Sequence, residues 1–189
     1  MESFPQLETE RLILSQLRAS DIPAIVDYAN HKRIADYTLN IPYPYSENDA
    51  IYWLNQAHQG FRNNTLFVFA IRQKSDQSFM GGIGLHIEQR FNRAEIGYWL
   101  AEPFWNQGYM TEAATTLIEF GFNQLHLHKI TSSHFTQNPA SGQVLIKSGM
   151  HKEGELKEHV RKGAAYHTLL VYGLTRSDYE QASGRRNDQ

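Results

Sequence analysis

The chain has 189 residues, 41% hydrophobic and 20% charged, with a formal net charge of −2. That is the make-up of one globular domain with a sizeable core, and it lacks the broad basic field of a nucleic-acid or anionic-membrane binder. Cysteine is absent, which excludes disulfides, thiolate metal sites and a cysteine nucleophile.

The opening MESFPQLETE is polar and acidic, unlike a signal or transit peptide, and no run has the apolar length of a membrane span. A cytoplasmic protein is the default expectation. Residues 11–17 (RLILSQL) read as a strand, with Leu12 and Leu14 on one face. Ser20 is placed to cap a helix from Asp21, with Pro23 tolerated in its first turn and Ile22, Ile25, Val26 and Ala29 as its apolar face. A short helical piece follows near 31–37, then a stiff loop, TLNIPYPY, at 38–45. Ser46 with Asp49 three residues on starts a helix to about Phe61, striped by Ala50, Trp53, Leu54 and Ala57.

Residues 66–72, 79–88 and 93–100 read as three strands of an antiparallel meander, the second alternating Ile83, Leu85 and Ile87 with Gly84, His86 and Glu88. Along the third, Glu95, Gly97 and Trp99 share one face and Ile96, Tyr98 and Leu100 the other. A Pro-marked loop then reaches Gly108. Directly after it a long amphipathic helix carries Met110, Ala113, Ala114, Leu117, Ile118, Gly121 and Leu125 on the face laid against a sheet. A strand at 128–135 follows, and a strand–helix–strand with so long a helix implies a parallel crossover. Asn138 opens another helix that Gly149 ends; strands near 150–160 and 165–175 follow, joined by a turn at Lys162–Gly163. Residues 1–176 are expected to form a single domain and 177–189 a polar, frayed tail. Leaving the short piece aside, the order is β-α-α-β-β-β-α-β-α-β-β, a mixed sheet with helices on both faces and not the alternating pattern of a doubly wound fold.

A strand that empties into a helix N-terminus is an anion site, because the first-turn N–H groups are unpaired. WNQGYMT (105–111) has one glycine and no lysine, so it is neither a dinucleotide fingerprint nor an ATP P-loop. The segment AEIGYWL followed by WNQGYMTEA resembles the cofactor motif of the GNAT acyltransferases, in particular ribosomal-protein N-terminal acetyltransferases of the RimJ/RimL type. The resemblance extends over nearly the whole chain, in the family's order: ETERLIL, IPYPY, AEIGYWL, the glycine loop, NPAS with VLIKSGM, Glu153–Gly154, and AYHTLLVYGLTRSDY.

The resemblance implies an α/β (α+β) GNAT fold: a mixed, mostly antiparallel sheet of about seven strands, helices on both faces, and a splay between the fourth and fifth strands. It implies acetyl-CoA as cosubstrate, with no metal, and a primary-amine acceptor that is a protein N-terminal α-amine first and a small amine second. Carried over, the backbone of Trp99 and Leu100 would bond the pantetheine or thioester, and the N–H groups of Gln107, Gly108, Tyr109, Met110 and Thr111 the pyrophosphate. Asn138 and Ser141 match the Asn-x-x-Ser that lies beside the pantetheine and sulfur. The chain departs from the family at Gln107 (often Lys or Arg), Met110 (usually Ala or Gly), Thr168 (often Asp) and Leu145, where many GNAT enzymes carry a tyrosine acid.

Glu95 is the candidate base or ammonium anchor, its bland alternative a solvated strand residue; Ser141 is the candidate donor to the departing sulfur, its bland alternative a hydroxyl satisfying its own helix. Tyr37, Tyr43, Tyr45, Trp53 and His167 are candidates for the acceptor side, against ordinary packing or surface roles. His126 and His128 alternate but have no third ligand nearby. A second function stays open: a GNAT-fold module that binds CoA and has lost efficient transfer. Oligomeric state is not legible.

Overall fold

The computed structural model describes residues 3–187. Eight strands form one sheet in the order β1-β2-β3-β4-β5-β6-β8-β7. They are β1 Leu7–Glu8, β2 Leu12–Gln16, β3 Leu66–Gln73, β4 Phe79–Glu88, β5 Arg93–Leu100, β6 Lys129–Phe135, β7 His151–Lys162 and β8 Ala165–Thr175. Seven are the expected strands. The eighth, β1, has two residues, too short to leave a periodic signal. The helices are α1 Ile22–Ala29, α2 Lys32–Tyr37, α3 Glu47–Arg62, α4 Tyr109–Asn123, α5 Pro139–Lys147 and α6 Arg176–Asn187. The fold is the expected mixed one. Every strand pair is antiparallel except β5 with β6, which α4 connects. Among the described residues no helix is long and apolar enough to cross a membrane.

Strand alternation divides the core into two layers. On β3, Phe67, Phe69 and Ile71 face the layer of α4, with Leu12, Leu14, Ile83, Leu85, Ile96, Leu117 and Ile118. Val68 and Ala70 face the opposite layer, with Ile25, Ala50, Leu54, Ala57 and Trp99 under α1 and α3. Both sides of the central strands are thus covered, so they read as nearly unbroken apolar runs.

One charge interrupts the second layer. Arg72 is buried on β3 and forks onto Asp21, Nη1 to Oδ1 at 2.8 Å and Nη2 to Oδ2 at 2.8 Å, while its Nε donates to Ser15 Oγ at 2.9 Å. This pairing corrects the start of α1. Asp21 ends a 3-10 turn, Ala19–Asp21, and α1 begins at Ile22 without a side-chain cap from Ser20. The Asp21 carboxylate is turned onto Arg72 and onto the Arg18 N–H at 2.8 Å.

The other helix signals behave as their chemistry requires. Ser46 and Asp49 form a reciprocal box on α3, with Ser46 N–H donating to Asp49 Oδ2 at 2.8 Å and Asp49 N–H to Ser46 Oγ at 3.4 Å. Gly149 (φ 90°) closes α5, and the Met150 N–H reaches back to Leu145 C=O at 3.0 Å. The stretch expected as a frayed tail is helical, and α6 lays Tyr179 on Phe122 with ring centroids 4.8 Å apart.

Candidate active site

The site begins where a ladder stops. β5 pairs with β4 along its whole length, from Arg93↔Glu88 to Leu100↔Gly81. With β6 it pairs at Arg93↔Lys129, Ala94↔Ile130 and Glu95↔Thr131. Above Glu95 the two strands separate, which is the expected splay. The Ala101 N–H donates to Met80 C=O at 2.8 Å, and this sets the antiparallel alternation below it. Gly97 and Trp99 exchange backbone bonds with β4, while the backbone groups of Ile96, Tyr98 and Leu100 turn toward β6. Ile96 C=O accepts Ser132 Oγ at 2.9 Å and Leu100 C=O accepts Trp105 Nε1 at 2.7 Å. Tyr98 N–H, Tyr98 C=O and Leu100 N–H line the remaining gap. The Leu100 N–H therefore faces the gap, whereas the Trp99 amide is turned to Gly82 and its ring is buried against Trp53 and Phe79.

At the top of β5 the chain turns through Glu102–Phe104 to the glycine loop. Asn106 (φ 59°) and Gly108 (φ 80°) both take left-handed backbone, and Gly108 is the N-cap of α4. The Glu112 N–H makes the first helical bond, to Gly108 C=O at 3.1 Å. Those of Tyr109, Met110 and Thr111 have no intrahelical acceptor, so with the helix dipole they form an anion cradle. The two departures in this loop have physical readings. Met110 is buried in the core, so its side chain points away from the cradle. Gln107 folds back, its Nε2 donating to Pro103 C=O at 2.8 Å.

A cation that the sequence reading assigned no role stands beside this loop. Arg11 donates from Nη1 to Gln107 C=O at 3.0 Å and from Nε to Glu112 Oε2 at 2.7 Å, and its guanidinium lies 4.3 Å from the Tyr109 ring centre. Burial would raise the Glu112 carboxyl, but hydrogen bonds from Thr9, the Arg11 N–H and the Arg11 guanidinium outweigh it and hold the pKa below its ordinary value. The opening of β2 thereby latches the first turn of α4.

The far wall of the gap is the start of α5. Asn138 is its N-cap, and its Oδ1 accepts the Ser141 N–H at 3.3 Å. The amide nitrogen of Asn138 is left to donate elsewhere. Ser141 is not occupied with its own helix. Its Oγ lies 2.9 Å from Tyr98 Oη, with either hydroxyl able to donate, and the single Tyr98 O–H has Ser141 C=O within reach as well, at 3.1 Å. Burial pushes the Tyr98 phenol far above its ordinary pKa, so it stays protonated. Leu145 is fully buried in the core. A phenol does reach this wall, from β5 and not from α5. The sequence reading missed Tyr98 because its alternation placed it among Ile96 and Leu100, where an aromatic reads as core filling. The available signal was the hydroxyl itself, which must find a partner when buried.

The opposite face of the gap carries Glu95. It is exposed, ladder-paired with His86 on one side and Thr131 on the other, and Ser133 Oγ donates to it at 3.4 Å. By register, His167 lies on the same face, packed against Phe135 at 4.9 Å between ring centres. Trp53 is partly buried, 6.1 Å from Trp99, at the upper end of this face. Tyr37 lies 6.4 Å from Trp105, and Tyr43 is exposed on the loop before α3. Tyr45 belongs to the core: it is buried, its N–H bonds Asn30 Oδ1 at 2.9 Å, and burial raises its phenol to about 12. Thr168 supports the β7 bulge, accepting the Glu158 N–H at 3.0 Å.

A CoA thioester makes three demands: donors for a pyrophosphate, strand-edge groups for an amide-bearing arm, and a hydroxyl for sulfur. The α4 cradle, the free edge at Tyr98 and Leu100, and Ser141 with Asn138 meet them in that order along one path. The residues present therefore fit the group.

Comparisons with known proteins agree. The profile of the Acetyltransferase (GNAT) domain matches residues 11–151. The chain is 29% identical over 174 residues to the uncharacterized N-acetyltransferase YoaA of Bacillus subtilis, covering 92% of this chain and 98% of that one. It is 22% identical over 182 residues to the [ribosomal protein uS5]-alanine N-acetyltransferase of Escherichia coli, covering 92% of each. Among solved structures, the spermidine N-acetyltransferase of Vibrio cholerae in complex with CoA and spermine superposes with a TM-score of 0.78 at 21% identity, over 90% of this chain and 99% of that one. With a free strand edge, an anion cradle and a domain match across most of its length, the chain belongs to the GNAT family of N-acetyltransferases.

Proposed function

We propose that this protein transfers an acetyl group from acetyl-CoA to a protein N-terminal α-amine in a ternary complex, in the cytoplasm. The observation that carries this reading is the pair of unlike faces on one gap: Ser141 with Tyr98 on one side, the exposed Glu95 carboxylate on the other. Acetyl-CoA supplies a thioester carbonyl for attack and a thiol as leaving group. The α4 cradle and the edge of β5 hold and orient that donor, which converts a bimolecular encounter into a positioned one. Glu95 attracts the acceptor ammonium and takes its proton, directly or through water. Ser141 donates its hydroxyl proton to the sulfur as charge grows there, and the single Tyr98 O–H turns from Ser141 C=O to Ser141 Oγ to support it.

The choice of an α-amine rests on acid–base matching. A chain-terminal amine has a pKa of about 7.7–8.0 against about 10.4 for lysine. It is partly neutral near pH 7 and asks little of an exposed carboxylate. The uS5-alanine relative points the same way, while the spermidine enzyme makes a polyamine the rival acceptor. A thiol-release screen over α-amino peptides, lysine peptides and polyamines tests the reading. α-Amino peptides are expected to give the highest kcat/KM; a clear preference for polyamines sinks the N-terminal assignment. Glu95→Gln is expected to lower kcat with the best acceptor by about 100-fold, the lower range for a general base. Wild type that binds acetyl-CoA yet turns over no faster than this variant would identify a binding module instead.

A further inference from the structure

The face of the sheet that carries Glu95 has a bare patch. Three ladder pairs of β4 and β5 share it: Gly82↔Trp99, Gly84↔Gly97 and His86↔Glu95. Its centre is therefore two glycines side by side. Trp99 and the overlying Trp53 bound it at one end, and Glu95 and His86 bound it at the other.

Two of these glycines have packing reasons. A Cβ at Gly82 would lie 2.5 Å from the Trp53 ring, and one at Gly84 would lie 2.9 Å from Phe67 C=O. Gly97 has none. Its φ is not in the left-handed region, no bulge interrupts its pairing with β4, and an added Cβ would meet nothing within 4 Å. It is exposed, two residues above the last β5–β6 pair, at the mouth of the splay. Glycine weakens a strand interior, and here the fold gains nothing in return.

We infer that Gly97 is a specificity-determining residue whose missing side chain leaves clearance for the acceptor's amine-bearing carbon as it crosses from Glu95 to the gap. This rests on the acetyl-transfer reading and deepens it. The patch takes a primary amine whose adjacent carbon lies flat on bare backbone, with the ammonium toward Glu95 and any apolar substituent toward Trp53 and Trp99. A β-carbon at position 97 competes with substituents on that carbon, so an acceptor with a branched amine-bearing carbon suffers more than an unbranched one.

The test uses Gly97→Ala and Gly97→Ser in the full chain, with acetyl-CoA and short peptides beginning with glycine or alanine, and with spermidine as an unbranched control. Both variants are expected to match or exceed the wild-type Tm and to bind CoA within about twofold by calorimetry. In both, kcat/KM for the alanine peptide is expected to fall by about tenfold or more, the effect of one misplaced carbon in a fitted site, and less for the glycine peptide and spermidine. A Tm several degrees lower in both variants overturns the inference, because the glycine then serves the fold. Weakened CoA binding with unchanged acceptor kinetics at saturating acetyl-CoA overturns it too, by giving the clearance to the donor. So do equal losses for branched and unbranched acceptors, or none. Failure of the underlying function shows separately, as a wild type that binds acetyl-CoA and releases no thiol with any of these amines, and it takes the inference with it.

Discussion

Two regions of the sheet, a closed half from β2 to β5 and an open half that is the parallel seam of β5 with β6, are built from the same kinds of strand and do opposite things with their backbones. From β2 to β5 every neighbour is antiparallel, each pair runs five residues or more, and apolar layers cover both faces except at the bare patch of β4 and β5. Peptide groups there are spent on one another. Between β5 and β6 the parallel ladder lasts three residues. Above it, side chains do the joining: Ser132 to Ile96 C=O, and Tyr98 to Ser141. A side chain can swing aside for a ligand, whereas a ladder cannot without unzipping. The closed half thus supplies rigidity and the open half supplies unspent donors and acceptors. The site is the boundary between them.

The largest break in this contrast is expected from the closed half. Asp21→Ala leaves Arg72 buried and uncompensated, and a broken buried pair costs about 3–5 kcal/mol. Denaturant unfolding should show that loss as a lower midpoint with an unchanged slope. The splay opens at β5, two strands from β3, so CoA affinity at a temperature where the variant is folded should stay near wild type. If unfolding is unmoved, Arg72 has found another acceptor and the closed half is less rigidly specified than its ladders imply.

Tyr98→Phe tests the open half, with a smaller effect. It keeps the ring and removes the hydroxyl that steadies Ser141. We expect kcat to fall about tenfold, or about 1.4 kcal/mol, with KM for acetyl-CoA and Tm little changed. In Ser141→Ala the same Tyr98→Phe change should have almost no further effect, since the two hydroxyls act as one unit. Additive losses would show that Tyr98 acts by packing, and the side-chain lacing would then be incidental to the chemistry.

How much of this was legible follows from the same contrast. The meander, the crossover and the α4 stripe are local periodicities, and sequence carries those. Gly108 and Asn138 announced themselves through chemistry that few residues share, a left-handed N-cap and a side-chain cap. The Tyr98–Ser141 contact joins residues 43 positions apart on two elements, and alternation alone says only that Tyr98 shares a face with Ile96 and Leu100. The start of α1 was misplaced for a similar reason: Ser20 is a good local cap, but a partner 51 residues away claimed Asp21. Arg11 lay inside a recognised stretch, yet nothing in RLIL says that its guanidinium ends beside a loop formed 96 residues later.

The smallest expected effect sharpens the role of that arginine. Where the resemblance leads one to expect Lys or Arg often, this loop has Gln107, and Arg11 is already committed to Glu112 and to Gln107 C=O. In the proposed function the cradle would therefore hold the CoA pyrophosphate mainly with backbone N–H groups. Gln107→Lys places a mobile charge beside it, at the expense of the bond to Pro103 C=O. The added charge is exposed, so its benefit should be screened within a Debye length of about 8 Å at physiological salt. CoA should bind about threefold more tightly at low salt, within the range of a single favourable surface charge, and no better than to wild type at about 1 M salt, where that length is about 3 Å. A gain that survives high salt would mean a direct, desolvated contact with the phosphates, and the cradle would then be a charged site that this chain has only partly filled. No gain at low salt would mean that the backbone and the Arg11 latch already saturate the anion, leaving the free edge of β5 as the part of the site still open to improvement.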